Sequence, residues 1–471
     1  MIKSEKDTIL ALSTPQGEGG ISIVRISGPK ALLVLNKIFR LPNNKKAKHQ
    51  THRLVYGFIH QNKKKLDEVL VSYMKSPKTY TGEDIAEINS HGGPVLVQKI
   101  MDLILSLKIK DIRLAKPGEF TKRAFLSGRI DLSQAEAVSD LIKAKSEKAI
   151  FSSINQLSGL FSQKINNLKK EMMELTVKVS ANVDFFDEDI PEITKKELLT
   201  SLNKIKEEIE VLLQSAKFGR IFKEGINVCL VGLPNVGKSS ILNAFLEEER
   251  AIVTEIAGTT RDTISETIQF SGLAIKLTDT CGIVKSKNKL EKIGVRKSIT
   301  AISEADLVLI VAEANRKADI VKFFNNLEIK AKEILKEKPI ILVINKSDLI
   351  KKVSTISIDK FSDYKIDKTP IFISALKNQG LKKLEKKIIK KVCGEEISSQ
   401  NIYVTNLRHK KILEETKGMI GNAILATKDN LSFDLILIDL ETTLDSLGEI
   451  TGEKISEKVL DQIFASFCIG K

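Results

Sequence analysis

The chain has 471 residues, 42% apolar and 29% charged, which excludes a disordered or fibrous protein and gives room for about three domains. Its net charge of +15 (75 basic against 60 acidic side chains) invites a polyanionic partner, yet fits equally well with lysines spread over a solvated surface. No apolar run reaches the ~18 residues of a membrane span, and the cysteines at 229, 281, 393 and 468 have neither zinc-site nor disulfide-framework spacing. A cytoplasmic protein with reduced thiols and no membrane contact is expected.

In chain order, residues 1–122 read as a mixed β/α domain. Strands are predicted at 21–27, 53–59 and 69–73. Pro94 opens a helix with Val97, Ile100, Ile104 and Leu107 on one face. Lys45, Lys46 and Lys48, and then Lys63, Lys64 and Lys65, mark two exposed loops. Residues 123–219 read as helical. Phe161, Ile165, Leu168, Met172, Leu175 and Val179 alternate steps of four and three, an a/d seam. Residues 220–394 carry phosphate- and base-binding motifs. Residues 395–471 return to helix, with Leu440, Leu444 and Leu447 on one face. Neither helical block has a full core of its own, so the α/β domain is expected to be inserted into one discontinuous helical domain.

The motif Gly232-Leu-Pro-Asn-Val-Gly-Lys-Ser-Ser240 follows an apolar strand at 228–231 and opens a helix. That context makes it a phosphate cradle. Its glycines bring backbone N–H groups to phosphate oxygens, Lys238 reaches the β- and γ-phosphates, and the Ser239 hydroxyl ligates magnesium. Asn345-Lys-Ser-Asp348 follows another apolar strand and selects the base. The Asp348 carboxylate accepts two hydrogen bonds from guanine, whereas adenine offers neither donor. Asn345 ties this loop to the phosphate loop, Lys346 lies over the base, and Ser374-Ala-Leu376 offers a backbone N–H to the guanine oxygen. Asp279 and Gly282, in Asp279-Thr-Cys-Gly282, face magnesium and the γ-phosphate, and Thr260 closes on magnesium from a switch loop.

The position after Gly282 holds Ile283, which cannot polarise water. Glu291 is the one carboxylate in the segment 285–291 and is the local candidate for orienting water; a solvated surface glutamate is the alternative. No arginine finger is evident in cis. A monovalent cation held by Asn235, Thr254, Ile256 and Thr259 is chemically permitted. Cys468, beside a basic residue near the end of the sequence, reads either as a reactive thiol or as an incidental one.

These motifs, together with Gly19-Gly-Ile-Ser-Ile-Val-Arg-Ile-Ser-Gly28, Tyr80-Thr-Gly-Glu-Asp84, His91-Gly-Gly-Pro94, Pro117-Gly-Glu-Phe-Thr-Lys-Arg-Ala-Phe125, Asp131-Leu-Ser-Gln-Ala-Glu-Ala137 and Phe467-Cys-Ile-Gly-Lys471, run in one order along the whole chain. In that order they resemble the tRNA-modification GTPase family MnmE, also called TrmE. The resemblance implies a folate-binding, dimerising domain at 1–122, a helical domain at 123–219 and 395–471, and a Ras-like P-loop GTPase domain at 220–394. It implies a homodimer that works with the flavoprotein MnmG, as a heterotetramer, on the wobble uridine of certain tRNAs. A carboxymethylaminomethyl or aminomethyl group is added at C5, with a one-carbon unit from a tetrahydrofolate.

The residue roles implied are as follows. GTP contacts fall on Asn235, Val236, Gly237, Lys238, Ser239 and Ser240, on Thr254, Glu255, Ile256, Ala257, Gly258, Thr259 and Thr260, and on Asp279, Thr280, Cys281 and Gly282. Around the base they fall on Asn345, Lys346, Asp348, Ser374, Ala375 and Leu376. Potassium falls on Asn235, Thr254, Ile256 and Thr259, and magnesium on Ser239 and Thr260. Glu291 and Lys238 become catalytic, folate contacts fall on Arg25, Glu87, Arg129 and Lys471, and Cys468 matches the family cysteine. Two positions depart from the family pattern. Cys281 stands where the family has alanine, and Arg129 stands for a lysine, keeping the charge but changing its geometry. A ribosome-assembly GTPase switch is the alternative, although no clear G-x-x-G loop of the kind an RNA-binding module carries follows residue 394.

Overall fold

The structure is a computed structural model. It describes residues 7–62, 64–184, 193–248, 265–280, 289–316, 318–350, 361–394 and 402–471, and only the backbone of 184, 248, 289–294 and 318–319. Two compact units emerge. One is drawn from residues 1–142, 154–208 and 411–471, the other from 143–153 and 209–410.

The first unit begins with a sheet of seven strands, β1 (Thr8–Leu12), β2 (Gly19–Ser27), β3 (Phe39–Arg40), β4 (Arg53–Gln61), β5 (Lys64–Met74), β6 (Ile85–Gly92) and β7 (Ile112–Leu114), in the order β3-β4-β5-β6-β2-β1-β7. Alternation decides its two faces. Val24, Val71 and Ile88 point one way and are buried beneath helices Ala31–Ile38 and Pro94–Ser106, with Val34, Leu35, Ile100 and Ile104. Their neighbours point the other way, so Arg25, Glu87, Ser72 and Leu54 form one cross-strand row. On that open face Leu54, Tyr56 and Leu70 remain exposed.

One expectation is corrected here. Lys64 and Lys65 open β5 instead of lying in a loop, pairing with Gln61 and His60, and Lys65 Nζ stands 3.7 Å from the centroid of the Phe58 ring. The apolar ring face below its ammonium makes a strand position tolerable for this charge. Lys63 lies outside the described residues.

The helical part of this unit joins segments distant in sequence. Helix Leu160–Asp184 packs along helix Phe433–Thr451. All six seam residues from Phe161 to Val179 are buried, as are Ile436, Leu440, Leu444 and Leu447 on the other helix. Each stripe removes the other's apolar face from water, which neither segment achieves alone.

The second unit holds a six-stranded sheet. Its strands are β8 (Ile226–Gly232), β9 (Ser265–Phe270), β10 (Leu273–Asp279), β11 (Leu307–Glu313), β12 (Ile340–Asn345) and β13 (Ile371–Phe372), in the order β13-β12-β11-β8-β10-β9. Only β9 runs antiparallel. The central strands are buried on both faces, which is why they read as unbroken runs of Val, Ile and Leu. This is a Ras-like P-loop GTPase fold, and β8, β10 and β12 deliver their loops to one edge, the carboxyl ends of the parallel strands. Residues 143–153 belong to this unit: Lys148 N–H donates to the Gly272 carbonyl at 3.0 Å and Gln269 Nε2 to the Lys145 carbonyl at 3.2 Å.

Candidate nucleotide and anion sites

The phosphate loop follows β8 and ends in helix Lys238–Glu248. Asn235 and Gly237 have φ of +64° and +90°. A Cβ on Gly237 would stand 2.3 Å from Asn345 Nδ2, so the position excludes any side chain. Lys238 Nζ donates to the carbonyls of Gly232 and Leu233, both at 3.2 Å, which curls it over the loop it serves. Ser239 and Ser240 stand exposed on the first turn of the helix, while Val236 is buried beneath.

Asn345 ends β12 and is almost wholly buried. Its Nδ2 donates to the Val236 carbonyl at 3.0 Å, and its Oδ1 accepts from the Ala375 N–H at 3.1 Å. One side chain thus ties the phosphate loop, the base loop and the 374–376 turn together. The predicted tie is present, and within the 374–376 turn the Ala375 N–H is the one that serves Asn345. Ser374 Oγ donates to Asp348 Oδ1 at 2.6 Å, and this hydrogen bond holds the Asp348 carboxyl below its usual range. The ionised acceptor that guanine requires is therefore aimed before any base arrives. Lys346, at φ +60°, places Nζ 3.0 Å from the Asn235 carbonyl, and Leu376 is exposed beside the base loop.

At the end of β10, Asp279 Oδ2 accepts from Ser239 Oγ at 2.6 Å. Its other oxygen, Oδ1, is buried with no hydrogen-bond partner among the described residues. An unsatisfied buried carboxylate oxygen beside a serine hydroxyl is the donor set a hard divalent cation takes, so these residues fit magnesium. Thr280 Oγ1 donates to the Leu230 carbonyl at 2.8 Å and locks β10 to β8. Burial, with the Asp279 charge, pushes the nearby Cys229 thiol up to about 12, leaving it inert. Thr254, Glu255, Ile256, Ala257, Gly258, Thr259, Thr260, Cys281 and Gly282 lie outside the described residues. Glu291 stands in helix Lys289–Glu304, where only its backbone is described.

The other predicted cluster lies in the first unit. Arg25 Nε pairs with Glu87 Oε1 at 2.8 Å across β2 and β6. The Arg25 guanidinium stands 5.9 Å from the centroid of the Tyr80 ring, and that of Arg129 5.0 Å from the same ring. Arg129 also donates to the Tyr80 carbonyl at 2.7 Å. Residues 468–471 come back to this place. The Gly470 carbonyl accepts from Ser13 Oγ at 3.2 Å and from Arg25 Nη1 at 3.5 Å. Lys471 closes on the Cys468 carbonyl through its N–H, and Cys468 is exposed. Arg25, Glu87, Arg129 and the tail, far apart in sequence, are thus brought together. Two guanidinium groups, a carboxylate and an aromatic face suit a flat ligand with N–H donors at one end and carboxylates at the other.

An ion network, buried at Arg123 and Glu119, lies in the same unit. Arg123 contacts Asp7, Glu83 and Glu119, and Arg113 contacts Asp7 and Glu119. Burial raises the Glu119 carboxyl, but Arg113, the Lys116 N–H and Arg123 outweigh it and hold it at about 2. Glu83 also accepts from Ser27 Oγ at 2.7 Å, so the network fixes the loop that carries Tyr80. Tyr80 was quoted in a motif but given no role by the sequence. Its signal was its place between two clustered arginines, which only the folded chain displays.

Two family models match this chain: one described as "GTP-binding protein TrmE N-terminus", over residues 8–129, and one as "MnmE helical domain", over residues 132–468. The chain is 42% identical to the tRNA modification GTPase MnmE of Alkaliphilus metalliredigens over 469 residues, 99% of each chain. It is 44% identical to the protein of the same name from Clostridioides difficile over 467 residues, and 45% identical to that from Thermoanaerobacter pseudethanolicus over 469, again 99% of each. Among the described residues no helix is long and apolar enough to cross a membrane. With its P-loop sheet, its TrmE-type amino-terminal domain and similarity over its whole length, the chain belongs to the MnmE family of tRNA modification GTPases and is a GTP hydrolase.

Proposed function

We infer that this chain is a potassium-dependent GTPase that acts on tRNA. In this reading it works with the flavoprotein MnmG to add a carboxymethylaminomethyl or aminomethyl group at C5 of the wobble uridine, position 34, with a one-carbon unit from a tetrahydrofolate. The observation that carries the reading is similarity along 99% of the chain to proteins named for tRNA modification. The proposed domain limits are 1–122 for folate binding and dimerisation, 123–219 and 395–471 for the helical domain, and 220–394 for the GTPase domain. A ribosome-assembly switch would account for the nucleotide motifs alone and not for the similarity along 99% of the chain to proteins named for tRNA modification.

The nucleotide chemistry follows from the loops. Backbone N–H groups of 235–240 and Lys238 hold the phosphates, and Asp348 accepts from the base. Ser239 and Asp279 would hold magnesium, which neutralises phosphate charge when bound. Asn235, exposed in the phosphate loop, with Thr254, Ile256 and Thr259, is the proposed potassium ligand set; Thr260 is the second proposed magnesium ligand. Glu291 is the proposed water-orienting residue, since Ile283 cannot do this work.

Arg25, Glu87, Arg129 and Lys471 are the proposed tetrahydrofolate contacts, and Cys468, exposed in the same tail, is the proposed reactive thiol. Exposed Leu54, Tyr56 and Leu70 on the uncovered sheet face support the homodimer: a second copy would remove them from water. The test is mass spectrometry of tRNA wobble nucleosides from cells lacking the protein. Loss of the C5-modified uridines is expected, and an unchanged nucleoside profile would overturn the reading.

A further inference from the structure

Glu313 is the last residue of β11, only 8% exposed, and it was assigned no role by any motif. Its Cα partner across the sheet is Asn345, the residue that opens the base loop. The Ala314 N–H donates to the Asn345 carbonyl at 2.9 Å, so the two strand ends are stitched past the last ladder pair. From this fixed place Glu313 Oε2 stands 3.3 Å from Lys346 Nζ. The same ammonium donates to the Asn235 carbonyl at 3.0 Å. Arg316, largely exposed, is the farther cation on Glu313, at 3.9 Å.

A lysine ammonium at the end of four methylenes has several rotamers, and holding one costs entropy. Here the side chain spans from the base loop to the phosphate loop, and the left-handed backbone at Lys346 starts it in that direction. The Asn235 carbonyl is one acceptor and leaves the charge uncompensated. A nearly buried carboxylate on a rigid strand supplies both the counter-charge and the direction.

We propose that Glu313 is a positioning residue for guanine-nucleotide binding: it fixes Lys346 in the extended rotamer that lays its methylenes along the base plane and bridges the base loop to the phosphate loop at Asn235. Glu313 touches no nucleotide and acts only through Lys346. The inference rests on the base-recognition assignment of Asn345, Lys346 and Asp348, and deepens it.

The test is equilibrium binding of fluorescent N-methylanthraniloyl GDP and ADP to the full chain, with thermal melting of each variant beside it. Wild-type protein should bind the guanine probe far more tightly than the adenine one; equal binding would sink the base assignment itself, whatever Glu313 does. Glu313→Gln should weaken the guanine probe about tenfold, the size of one charge-assisted hydrogen bond, with little change for the adenine probe. Glu313→Asp, which keeps the charge, should recover part of that loss and serves if the glutamine variant folds poorly. In a Lys346→Met background Glu313→Gln should cost nothing further, because its effect passes through the lysine. Unchanged guanine affinity in Glu313→Gln would overturn the proposal. So would the same tenfold loss in the Lys346→Met background, since that marks a structural role independent of the lysine.

Discussion

The nucleotide loops and the Arg25 cluster solve the same problem, fixing charged groups in one place, by opposite routes. The nucleotide loops hang from strand ends along one edge of a single sheet and are tied by their own motif residues, Asn345 reaching Val236 across 109 positions of sequence. The Arg25 cluster lies where Tyr80, Phe120 and the tail cover one sheet face, and its closing contact joins residues 445 positions apart. The first site is preorganised by a buried amide, with Lys346 as a second and more exposed tie between the same loops. The second is an assembly of separately weak contacts, held up by the ion network of Arg113 and Arg123. A tight site with one keystone should fail all at once, and an assembled one by degrees.

Gly237→Ala should break the contrast most sharply. The added Cβ meets Asn345 Nδ2 at 2.3 Å, at a φ of +90°. Nucleotide affinity, measured by fluorescence titration, should fall on the order of a thousandfold, since clash, strain and a lost tie combine. Asp348→Asn should cost GTP roughly a hundredfold, as expected for lost hydrogen bonds to a charged acceptor, and should turn preference toward xanthosine triphosphate. GTP binding as tight as the parent's would remove Asp348 from the base contact.

Glu291→Ala sharpens the comparison inside the nucleotide site, separating binding from chemistry. Single-turnover hydrolysis should slow by about tenfold or more, the lower end for a positioned group, while GTP affinity holds. Loss of binding would make Glu291 structural. The smallest effect should come from the counterpart of the first variant. Gly470→Ala puts a Cβ 2.1 Å from the Leu12 carbonyl, at a φ of +92°, but in the short segment that follows helix Glu457–Ala465 instead of between two tied loops. Affinity for 5-formyltetrahydrofolate should fall roughly fivefold, with GTP turnover unchanged. A collapse of folate binding to nothing would show that the tail, too, is a keystone.

The same contrast explains what could be read from the sequence. Loops built from consecutive residues after apolar strands were legible because the chemistry and its spacing lie in one segment, as with Asn345 to Asp348. The a/d seam from Phe161 to Val179 was legible because periodicity alone dictates which face is buried. The Arg25 cluster was reached through resemblance and not through spacing, since no local pattern tells Arg129 that Tyr80 lies beside it. Glu313 was invisible: it ends an apolar strand, and its neighbour Lys346 is set by strand order, which a linear sequence does not carry. Lys64 and Lys65 misled because charge was weighed above pairing, while the Phe58 ring makes their place in β5 tolerable.

The docking of residues 468–471 on the first strands also bears on how the protein is made. Ser13 leaves the ribosome 457 residues before the Gly470 carbonyl that it holds. At about 10 residues per second, within the usual range of synthesis, β1 and β2 wait on the order of 45 seconds for the segment that finishes their surface. During that interval the amino-terminal sheet can fold and the nucleotide loops can close, yet the Arg25 cluster stays without its tail. A nascent chain halted before residue 468 would therefore hold its nucleotide loops but lack the Gly470 contacts to Ser13 and Arg25. The return of the tail makes the Arg25 cluster a late-completed part of its unit, closed only once residues 468–471 have been made.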